Sequence, residues 1–248
     1  MGSDWTGQTA VVTGAARGLG LVLSRRLAEA GAAVLMVDLD EAATEAAAAA
    51  LRPCAGETHA LAADLCDPAQ VAAVADAVRD RLGGRLDLLV NNAGGWRHAA
   101  SRDITLADWD WTFRTNALTA FLTTRSLMDF MIAQKGGRIV NVTSTDAHRP
   151  KPTMPHYAAA KAALVSLTKS FAEELAPHQV LVNAVSPGAI GTEIARSQAW
   201  FAERIKAIPV GRAAEPEDIA DVILFLGSRQ NRFVVGQTVM ANGGMLMA

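Results

Sequence analysis

Cysteine, excess charge of either sign and long apolar runs are all scarce in this 248-residue chain. Its two cysteines, Cys54 and Cys66, are too few for a disulfide framework and do not form a Cys-x-x-Cys pair. No apolar run approaches the roughly 20 residues that a membrane span requires. Residues 1–5 lack the charged-then-apolar order of a signal peptide. We therefore expect a cytoplasmic globular protein with no membrane partner.

The charged residues nearly cancel, with 23 Lys and Arg against 25 Asp and Glu and a formal net charge of -2. This balance, with a pI near 6.2, is not typical of proteins that bind nucleic acid or anionic lipid. Half of the residues are hydrophobic, which argues against disorder. The five histidines stand at no metal-ligand spacing, so no metal site is expected. Tyrosine occurs once, as Tyr157, which looks at first like an accident of composition.

Short β-branched runs alternate with alanine-rich stretches along the whole chain. The predicted strands, several of them apolar throughout, are Gln8–Thr13, Ala33–Val37, Glu57–Ala62, Asp87–Val90, Gly137–Thr143, Val180–Val185 and Thr238–Ala241. The predicted helices are about Gly18–Ala30, Glu41–Leu51, Pro68–Leu82, Leu106–Gln134, Pro155–Ala176 and Pro216–Leu226. Apolar strands are typical of a parallel sheet covered on both faces. Because no linker divides the chain, the alternation predicts right-handed βαβ units in one doubly wound α/β domain over residues 1–248.

A glycine-rich segment, Gly-Ala-Ala-Arg-Gly-Leu-Gly at residues 14–20, joins the first predicted strand to the first predicted helix. Such a turn lets backbone N–H groups and the positive end of the helix dipole bind a pyrophosphate. Its spacing departs from the standard Gly-x-Gly-x-x-Gly pattern. An ordinary tight turn therefore stays open as the alternative.

Asp38 ends the second predicted strand, 18 residues beyond Gly20. An acid at this place accepts hydrogen bonds from the adenosine ribose hydroxyls and repels a 2′-phosphate. Leu39 follows, so no cation stands beside the acid to receive a phosphate. Asp38 therefore favours NAD over NADP, although an ordinary surface acid is the alternative. Arg17 is the contrary indication, because its guanidinium could reach a 2′-phosphate from inside the glycine loop.

Further polar motifs follow the later strands. They are Asp64-Leu65, Asn91-Asn92-Ala93-Gly94, Asn116, Ser144, Tyr157-Ala-Ala-Ala-Lys161, Asn183-Ala-Val-Ser-Pro187-Gly188 and Thr192. In this order, over essentially the whole chain, the set resembles the short-chain dehydrogenase/reductase family in its single-domain form of about this length. The resemblance implies a Rossmann-type, seven-stranded, mainly parallel sheet and hydride transfer between NAD(P) and a carbinol or carbonyl carbon. It also implies a small-molecule alcohol or ketone substrate and a homotetramer or homodimer.

The resemblance assigns roles to individual residues. Four match the family's catalytic positions: Ser144, Tyr157, Lys161 and Asn116. With Tyr157 and Lys161, the residues that match cofactor-binding positions are Gly14, Arg17, Gly18, Leu19, Gly20, Asp38, Asp64, Leu65, Asn91, Ala93, Gly94, Pro187, Gly188, Ile190 and Thr192. Among them, Asp64 and Leu65 are expected around the adenine, Asn91 beside the ribose, and Thr192 near the nicotinamide carboxamide. One departure, Asn242 before Gly243-Gly244 where relatives often have aspartate, concerns a segment that supports structure and assembly.

The catalytic residue types also suit redox chemistry on physical grounds. An unperturbed tyrosine has a pKa of ~10, too high for a base at neutral pH. Lys161 follows Tyr157 by one helical turn, so its ammonium, with the cationic nicotinamide, is expected to lower the pKa of the phenol. We expect Tyr157 to be the general acid/base, Ser144 to hydrogen-bond the reacting oxygen, and Asn116 to hold a water that links Lys161 to solvent. Taken singly, each could be an ordinary capping or packing residue.

Other functions deserve comparison with the dehydrogenase hypothesis. Ser144, Asp146 and His148 could suggest a hydrolase triad, but they lie within five residues and outside a Gly-x-Ser-x-Gly elbow, so this reading is rejected. An NADPH-dependent 3-oxoacyl-thioester reductase stays open, although Asp38 disfavours it. A dinucleotide-binding regulatory protein without turnover is disfavoured by the intact catalytic set.

Three segments are candidates for substrate or subunit contacts. Residues 189–209, with Trp200 and Phe201, form either a lid with an apolar underside or a surface helix fixed by two aromatic side chains. Residues 145–156, with two histidines, Arg149 and Lys151, either meet an anionic substrate or acyl-carrier partner or form a solvated loop. The apolar tail Met245–Met247 suits a subunit contact.

Overall fold

The computed structural model describes residues 5–247, built around one seven-stranded sheet. The strands are β1 (Thr9–Thr13), β2 (Ala33–Asp38), β3 (Thr58–Ala62), β4 (Leu88–Asn91), β5 (Gly137–Val142), β6 (Val180–Pro187) and β7 (Thr238–Ala241). Their order is β3-β2-β1-β4-β5-β6-β7, and every ladder is parallel. This confirms the predicted doubly wound, Rossmann-type α/β fold. The signal-peptide expectation concerns residues 1–5, of which residues 1–4 lie outside the described residues.

Helices connect the strands on both faces. The α-helices of the described chain are α1 (Gly18–Glu29), α2 (Glu41–Leu51), α3 (Pro68–Arg81), α4 (Leu106–Phe113), α5 (Thr119–Ala133), α6 (Pro155–Leu175), α7 (Glu193–Arg196), α8 (Phe201–Lys206) and α9 (Pro216–Gly227). Local chemistry explains their starts: the Asp67 carboxylate accepts a hydrogen bond from the Ala69 N–H, and Pro68 occupies the first turn of α3. No helix within residues 5–247 has the length and apolar character needed to cross a membrane.

The long helix predicted at Leu106–Gln134 is present, with helical structure unbroken over residues 106–133. A π-helical turn, Arg114–Leu118, joins α4 to α5 and contains Asn116. This turn was not predicted because the apolar pattern does not reveal it. π-Turns inside helices often occur at functional sites.

The core forms two layers, one on each face of the sheet. In β1, Ala10 and Val12 pack with Leu23 of α1 and Ile223 of α9, whereas Val11 packs in the layer on the opposite face. Successive side chains of a strand alternate between faces, so both faces of β1 are buried. This explains why the strands are apolar throughout.

The site is located by the order of the strands. β1 pairs with β2 on one side and with β4 on the other, so the direction of winding reverses between β1 and β4. Ligands of open α/β sheets bind beyond the carboxyl ends of the strands at such a reversal. The glycine-rich loop after β1 and the segment after β4 both lie at this edge.

Candidate active site

The glycine-rich loop is packed too closely for side chains at two of its glycines. Gly14 has a φ of +64°, and a Cβ on Gly20 would lie 2.0 Å from the Gly14 carbonyl oxygen. The first turn of α1 therefore lies directly against the loop. Arg17 provides no side-chain cap, so the first N–H groups of α1 remain available to an anion. β1, the glycine-rich loop and α1 therefore form the strand–turn–helix arrangement that a pyrophosphate site requires.

The loop is joined to the segment after β4 by side-chain hydrogen bonds. The Thr13 hydroxyl accepts hydrogen bonds from the backbone N–H groups of Asn92 and Ala93, each at 3.0 Å. The Asn92 Nδ2 donates to the carbonyl oxygens of Thr13 at 3.0 Å and Gly14 at 3.1 Å. Asn92 also lines the cavity that contains Ser144 and Tyr157, although no role was predicted for it from the sequence. The second residue of the Asn-Asn pair was the available signal.

Asn91 lies elsewhere. Its side chain is buried and donates to Thr124 Oγ1 at 3.0 Å and to Asn141 Oδ1 at 2.8 Å, while Asn141 donates to Thr168 Oγ1 at 2.9 Å. The Asn91 side chain is therefore occupied within the protein, and the expected place of Asn91 beside the ribose stays a prediction that concerns its backbone. Successive side chains point to opposite faces, so only one of two adjacent asparagines faces the cavity.

Asp38 is turned toward the glycine-rich loop. Its carboxylate accepts hydrogen bonds from the Ala16 N–H at 3.0 Å and from the Leu39 N–H at 2.8 Å. Leu39 is 73% exposed, and the side chain of Arg17 is exposed as well. Within the described residues, Asp38 has no ion-pair partner. Its charge therefore remains uncompensated at the end of β2.

Three other residues expected to bind the cofactor, Asp64, Leu65 and Leu19, have side chains that are held by the protein itself. Asp64 Oδ1 accepts a hydrogen bond from the Cys66 N–H at 2.8 Å and shapes the turn after β3. Leu65 and Leu19 are 5% and 6% exposed and belong to the hydrophobic layers. These two leucines therefore present mainly their backbones at this edge of the sheet, and their contact with a cofactor stays a prediction.

The four expected catalytic side chains face one cavity of about 610 Å³. Ser144 follows β5, Asn116 lies in the π-turn, and Tyr157 and Lys161 lie one turn apart near the start of α6. The cavity is also lined by five of the expected cofactor residues, Gly94, Pro187, Gly188, Ile190 and Thr192. Gly14, Gly18 and Ala93 lie beside it: Gly14 bonds Asn92, Gly18 lies against Thr192, and Ala93 bonds Thr13.

Lys161 and Asn116 are positioned by main-chain groups. Lys161 is 4% exposed, and its Nζ donates to the Val142 carbonyl oxygen at 2.9 Å. Asn116 Nδ2 donates to the carbonyl oxygens of Gly95 at 2.8 Å and Thr112 at 3.0 Å. A Cβ on Gly94 would lie 2.8 Å from Asn116 Oδ1 and 3.3 Å from Lys161 Nζ. Glycine at position 94 therefore lets these two polar groups approach the same space.

Burial controls the protonation of the central pair. It raises the pKa of Tyr157 to about 12, although hydrogen bonding with Ser144 acts in the opposite direction. Burial lowers the pKa of Lys161 to about 8. The expectation that Lys161 lowers the tyrosine pKa is not met in the cofactor-free site, where desolvation dominates and Lys161 Nζ lies 5.9 Å from the centre of the tyrosine ring.

Residues 189–209 contain the short helices α7 and α8, of which α8 corresponds to the predicted surface helix. They pack on a small cluster of Ala189, Ala195, Phe201, Ile208 and Ala213. Phe201 is 7% exposed and fixes α8, whereas Trp200 lines the cavity. We call residues 189–209 the lid.

The triad of Ser144, Asp146 and His148 is not assembled. Ser144 Oγ accepts a hydrogen bond from the Asp146 backbone N–H, whereas His148 Nε2 lies 2.9 Å from Ser186 Oγ. This agrees with its rejection on sequence grounds. Within residues 5–247, no cluster of three or more His, Cys, Asp or Glu residues could hold a metal ion.

The chain is similar to known proteins over nearly its whole length. A family model described as enoyl-(acyl carrier protein) reductase matches residues 14–246. A 3-oxoacyl-[acyl-carrier-protein] reductase FabG of Aquifex aeolicus is 35% identical over 96% of this chain and 97% of its own, and galactitol 2-dehydrogenase of Agrobacterium fabrum is 34% identical over 97% and 98%. The crystal structure of a short-chain type dehydrogenase/reductase from Mycobacterium marinum matches with a TM-score of 0.94 and 33% identity, covering 99% of this chain and 98% of that one.

The close packing of the glycine-rich loop can be tested with Gly20→Ala. Because the new Cβ would overlap the Gly14 carbonyl oxygen, the loop must move, and we expect NADH affinity to fall at least about tenfold, equivalent to 1.4 kcal/mol. The measurement is fluorescence titration with NADH, with circular dichroism to verify folding. Gly136→Ala is the control, since no atom lies within 4 Å of its Cβ. Wild-type affinity in a folded Gly20→Ala variant would contradict this packing argument.

The single tyrosine makes its ionisation directly observable. Since burial disfavours the phenolate, the native cofactor-free protein should hold the Tyr157 proton up to about pH 12, whereas the unfolded chain should titrate near pH 10. Near-ultraviolet phenolate absorbance measures both states, and Tyr157→Phe supplies the blank. Half-titration at or below pH 10 in the native cofactor-free protein would show that burial does not control this group.

Proposed function

The chain belongs to the short-chain dehydrogenase/reductase family, and we propose that this oxidoreductase transfers a hydride between NAD(H) and a secondary alcohol or ketone, with Tyr157 as the general acid/base. The observation that carries the proposal is the convergence of Ser144, Tyr157, Lys161 and Asn116 on one cavity. The site also fits a dinucleotide. Its glycine-rich loop leaves α1 N–H groups available, and Gly94 opens a space beside Lys161 and Asn116.

In the proposed reaction, bound NAD(H) supplies or accepts the hydride. Tyr157 donates a proton to the carbonyl oxygen during reduction and removes the hydroxyl proton during oxidation. Ser144 donates a hydrogen bond to the same oxygen and stabilises its developing negative charge. The cavity-facing side of Tyr157 and its interaction with Ser144 support this division of roles.

Lys161 and Asn116 support Tyr157. Lys161 is proposed to hydrogen-bond the nicotinamide ribose, and a cationic nicotinamide near Tyr157 would oppose the effect of burial on the phenol pKa. Asn116 Oδ1 accepts a hydrogen bond from the Gly95 N–H at 3.3 Å, so its second lone pair is proposed to accept from a water that carries the proton toward solvent.

NAD(P) is the cofactor of the family, and we propose a preference for NAD(H). The support is the uncompensated Asp38 carboxylate, held toward the loop by the Ala16 and Leu39 N–H groups. A 2′-phosphate at this place would meet like charge with no cation beside it. Arg17 is exposed in the loop and is the residue that would favour NADP instead.

Two substrate classes are candidates. A free secondary alcohol or ketone suits the cavity and the Asp38 preference. A 3-oxoacyl thioester, reduced with NADPH, is favoured by the names of the relatives, which support it better than the first candidate. Parallel rates with 3-oxobutanoyl thioesters and with simple ketones, each with NADH and NADPH, separate the two.

We also propose that the enzyme acts in the cytoplasm as a homotetramer or homodimer. Both cysteines are free, which suits a reducing compartment. Phe233 and Met247 are 95% and 81% exposed, and such apolar side chains suit a contact between subunits. Size-exclusion chromatography with light scattering measures the assembly.

The role of Tyr157 is tested by Tyr157→Phe, which removes only the hydroxyl. We expect kcat to fall by ~10²–10⁴-fold because proton transfer is lost, while NADH affinity stays within twofold. Steady-state rates and NADH fluorescence titration measure the two quantities on one variant. Near-normal turnover would contradict the acid/base assignment, and loss of NADH binding would instead indicate a structural role.

The role of Asp38 is tested by Asp38→Asn, which removes the charge and keeps one of the two oxygens that accept backbone hydrogen bonds. We expect wild type to bind NADH at least about tenfold more tightly than NADPH, and the variant to lose most of that difference. Glu41→Gln, the loss of an exposed acid at the start of α2, is the control. Tighter NADPH than NADH binding by wild type would refute the preference.

A further inference from the structure

Three cations surround one buried carboxylate at the rim of the catalytic cavity. The Asp146 side chain is 6% exposed, and its Oδ1 accepts hydrogen bonds from Arg149 Nε and Arg204 Nη2, each at 3.0 Å. Lys151 Nζ lies 3.7 Å from Asp146 Oδ2. One carboxylate balances one cation, so this group of four side chains, the Asp146 cluster, retains two positive charges.

These charges are largely removed from water. The side chains of Lys151, Arg204 and Arg149 are 17%, 20% and 26% exposed. Burying an ionised group is costly unless a partner of opposite charge compensates it. The surplus charge of the Asp146 cluster therefore favours the binding of an anion.

No neighbouring charge within the described residues cancels the surplus. Glu203 also lines the cavity, but it is 75% exposed and pairs with Lys206 at 2.6 Å. His98 lines the same wall, and burial together with the charge of Lys151 lowers its pKa, which keeps it neutral. Lys161 lines the same cavity, and as an amine it cannot compensate the surplus positive charge.

Two of the cations face the cavity from different segments. Lys151 lies in the loop before α6 and Arg204 lies on α8 of the lid, and both line the cavity that contains Ser144 and Tyr157. Within residues 5–247, the Arg204 guanidinium has one hydrogen-bond partner, so most of its five donors are available. The 3.7 Å separation likewise leaves the Lys151 ammonium with donors to spare.

The cluster is close to the reacting centre. Asp146 comes two residues after Ser144, and its backbone N–H donates to Ser144 Oγ at 3.1 Å. The charges of Asp146 and Arg204 both act on the pKa of Tyr157. Trp96, Met154 and Trp200 add apolar side chains to the lining of the same cavity. The cavity thus combines apolar lining, the reacting groups and two cations.

We propose that the substrate of the hydride transfer is an oxo acid or hydroxy acid whose carboxylate is bound by Lys151 and Arg204. This inference rests on the proposed function and further specifies that the substrate carries a negative charge. In reduction, NADH gives a hydride to the carbonyl carbon and Tyr157 gives a proton to its oxygen, yielding the hydroxy acid and NAD⁺. The carboxylate takes no part in bond making and serves only to position the carbonyl.

The test compares oxo acids with neutral counterparts of the same length. Reduction of 4-oxopentanoate and 5-oxohexanoate is measured against their methyl esters with the same cofactor. We expect the ratio of kcat/KM for acid to ester to exceed about tenfold in wild type, as hydrogen bonds to a charged group imply. The ratio should collapse toward unity in Arg204→Gln and Lys151→Gln and recover partly in Arg204→Lys.

Lys206→Gln is the matched control, because it removes a positive charge from the same helix at a side chain that is 71% exposed and does not line the cavity. It should leave the ratio unchanged. Equal efficiency for acids and esters in wild type overturns the inference. An equal fall of the ratio in Lys206→Gln and Arg204→Gln also overturns it, because the effect would then arise from general charge.

A binding measurement separates this inference from the proposed function. Tryptophan fluorescence of the NAD⁺ complex is titrated with each acid and each ester, which requires no turnover. Tighter binding of acids that is lost in Arg204→Gln supports the carboxylate site even if no ketone is reduced, in which case only the proposed function fails. Reduction of a 3-oxobutanoyl thioester more efficiently than every free oxo acid overturns the inference and favours the second substrate class.

Discussion

The site depends on one junction, where the end of β1 meets the segment after β4. The ladder between these strands ends at the pair Val12 and Val90, and hydrogen bonds of Thr13 and Asn92 continue the contact beyond it. The same asparagine bonds the Gly14 carbonyl, so the glycine-rich loop is fixed to the segment that carries Gly94. The pyrophosphate end and the reacting end of the site therefore belong to one rigid frame.

From this frame, main-chain oxygens position the catalytic side chains. The Val142 carbonyl accepts from Lys161, and the Gly95 and Thr112 carbonyls accept from Asn116. This arrangement buries the Lys161 amine and the Tyr157 phenol together. Desolvation raises the pKa of the phenol and lowers the pKa of the amine, which favours the neutral form of each. A proton-transfer group that is neutral in the empty site needs an added positive charge nearby to become a base. The proposed acid/base role of Tyr157 therefore requires a cation in the neighbouring space to oppose the effect of burial.

Sequence patterns were sufficient to predict the secondary structure, the parallel sheet and pairs of residues one helical turn apart. Apolar strands alternating with helices predicted the sheet, and the four-residue spacing predicted that Tyr157 and Lys161 share a helix face. The π-turn at Asn116 was missed because it changes hydrogen-bond register without changing the apolar pattern. The sequence did not show which of the two adjacent asparagines faces the cavity, because the face of a residue at a strand end depends on where pairing stops. The sign of the Tyr157 pKa shift depends on burial by distant segments, which no short spacing encodes.

The Asp146 cluster is the clearest case of information held in tertiary contacts. Arg204 meets Asp146 across 58 positions of sequence, so neither residue alone suggests the pair. One cation would suffice to hold the lid to the loop after β5, and each further buried cation adds a desolvation cost. Arg204 belongs to α8 and Lys151 to the loop before α6, so an anion bound by both would bridge two segments that are far apart in sequence. The proposed carboxylate site therefore depends on the packing of α8 against this loop, which the Asp146–Arg204 ion pair maintains.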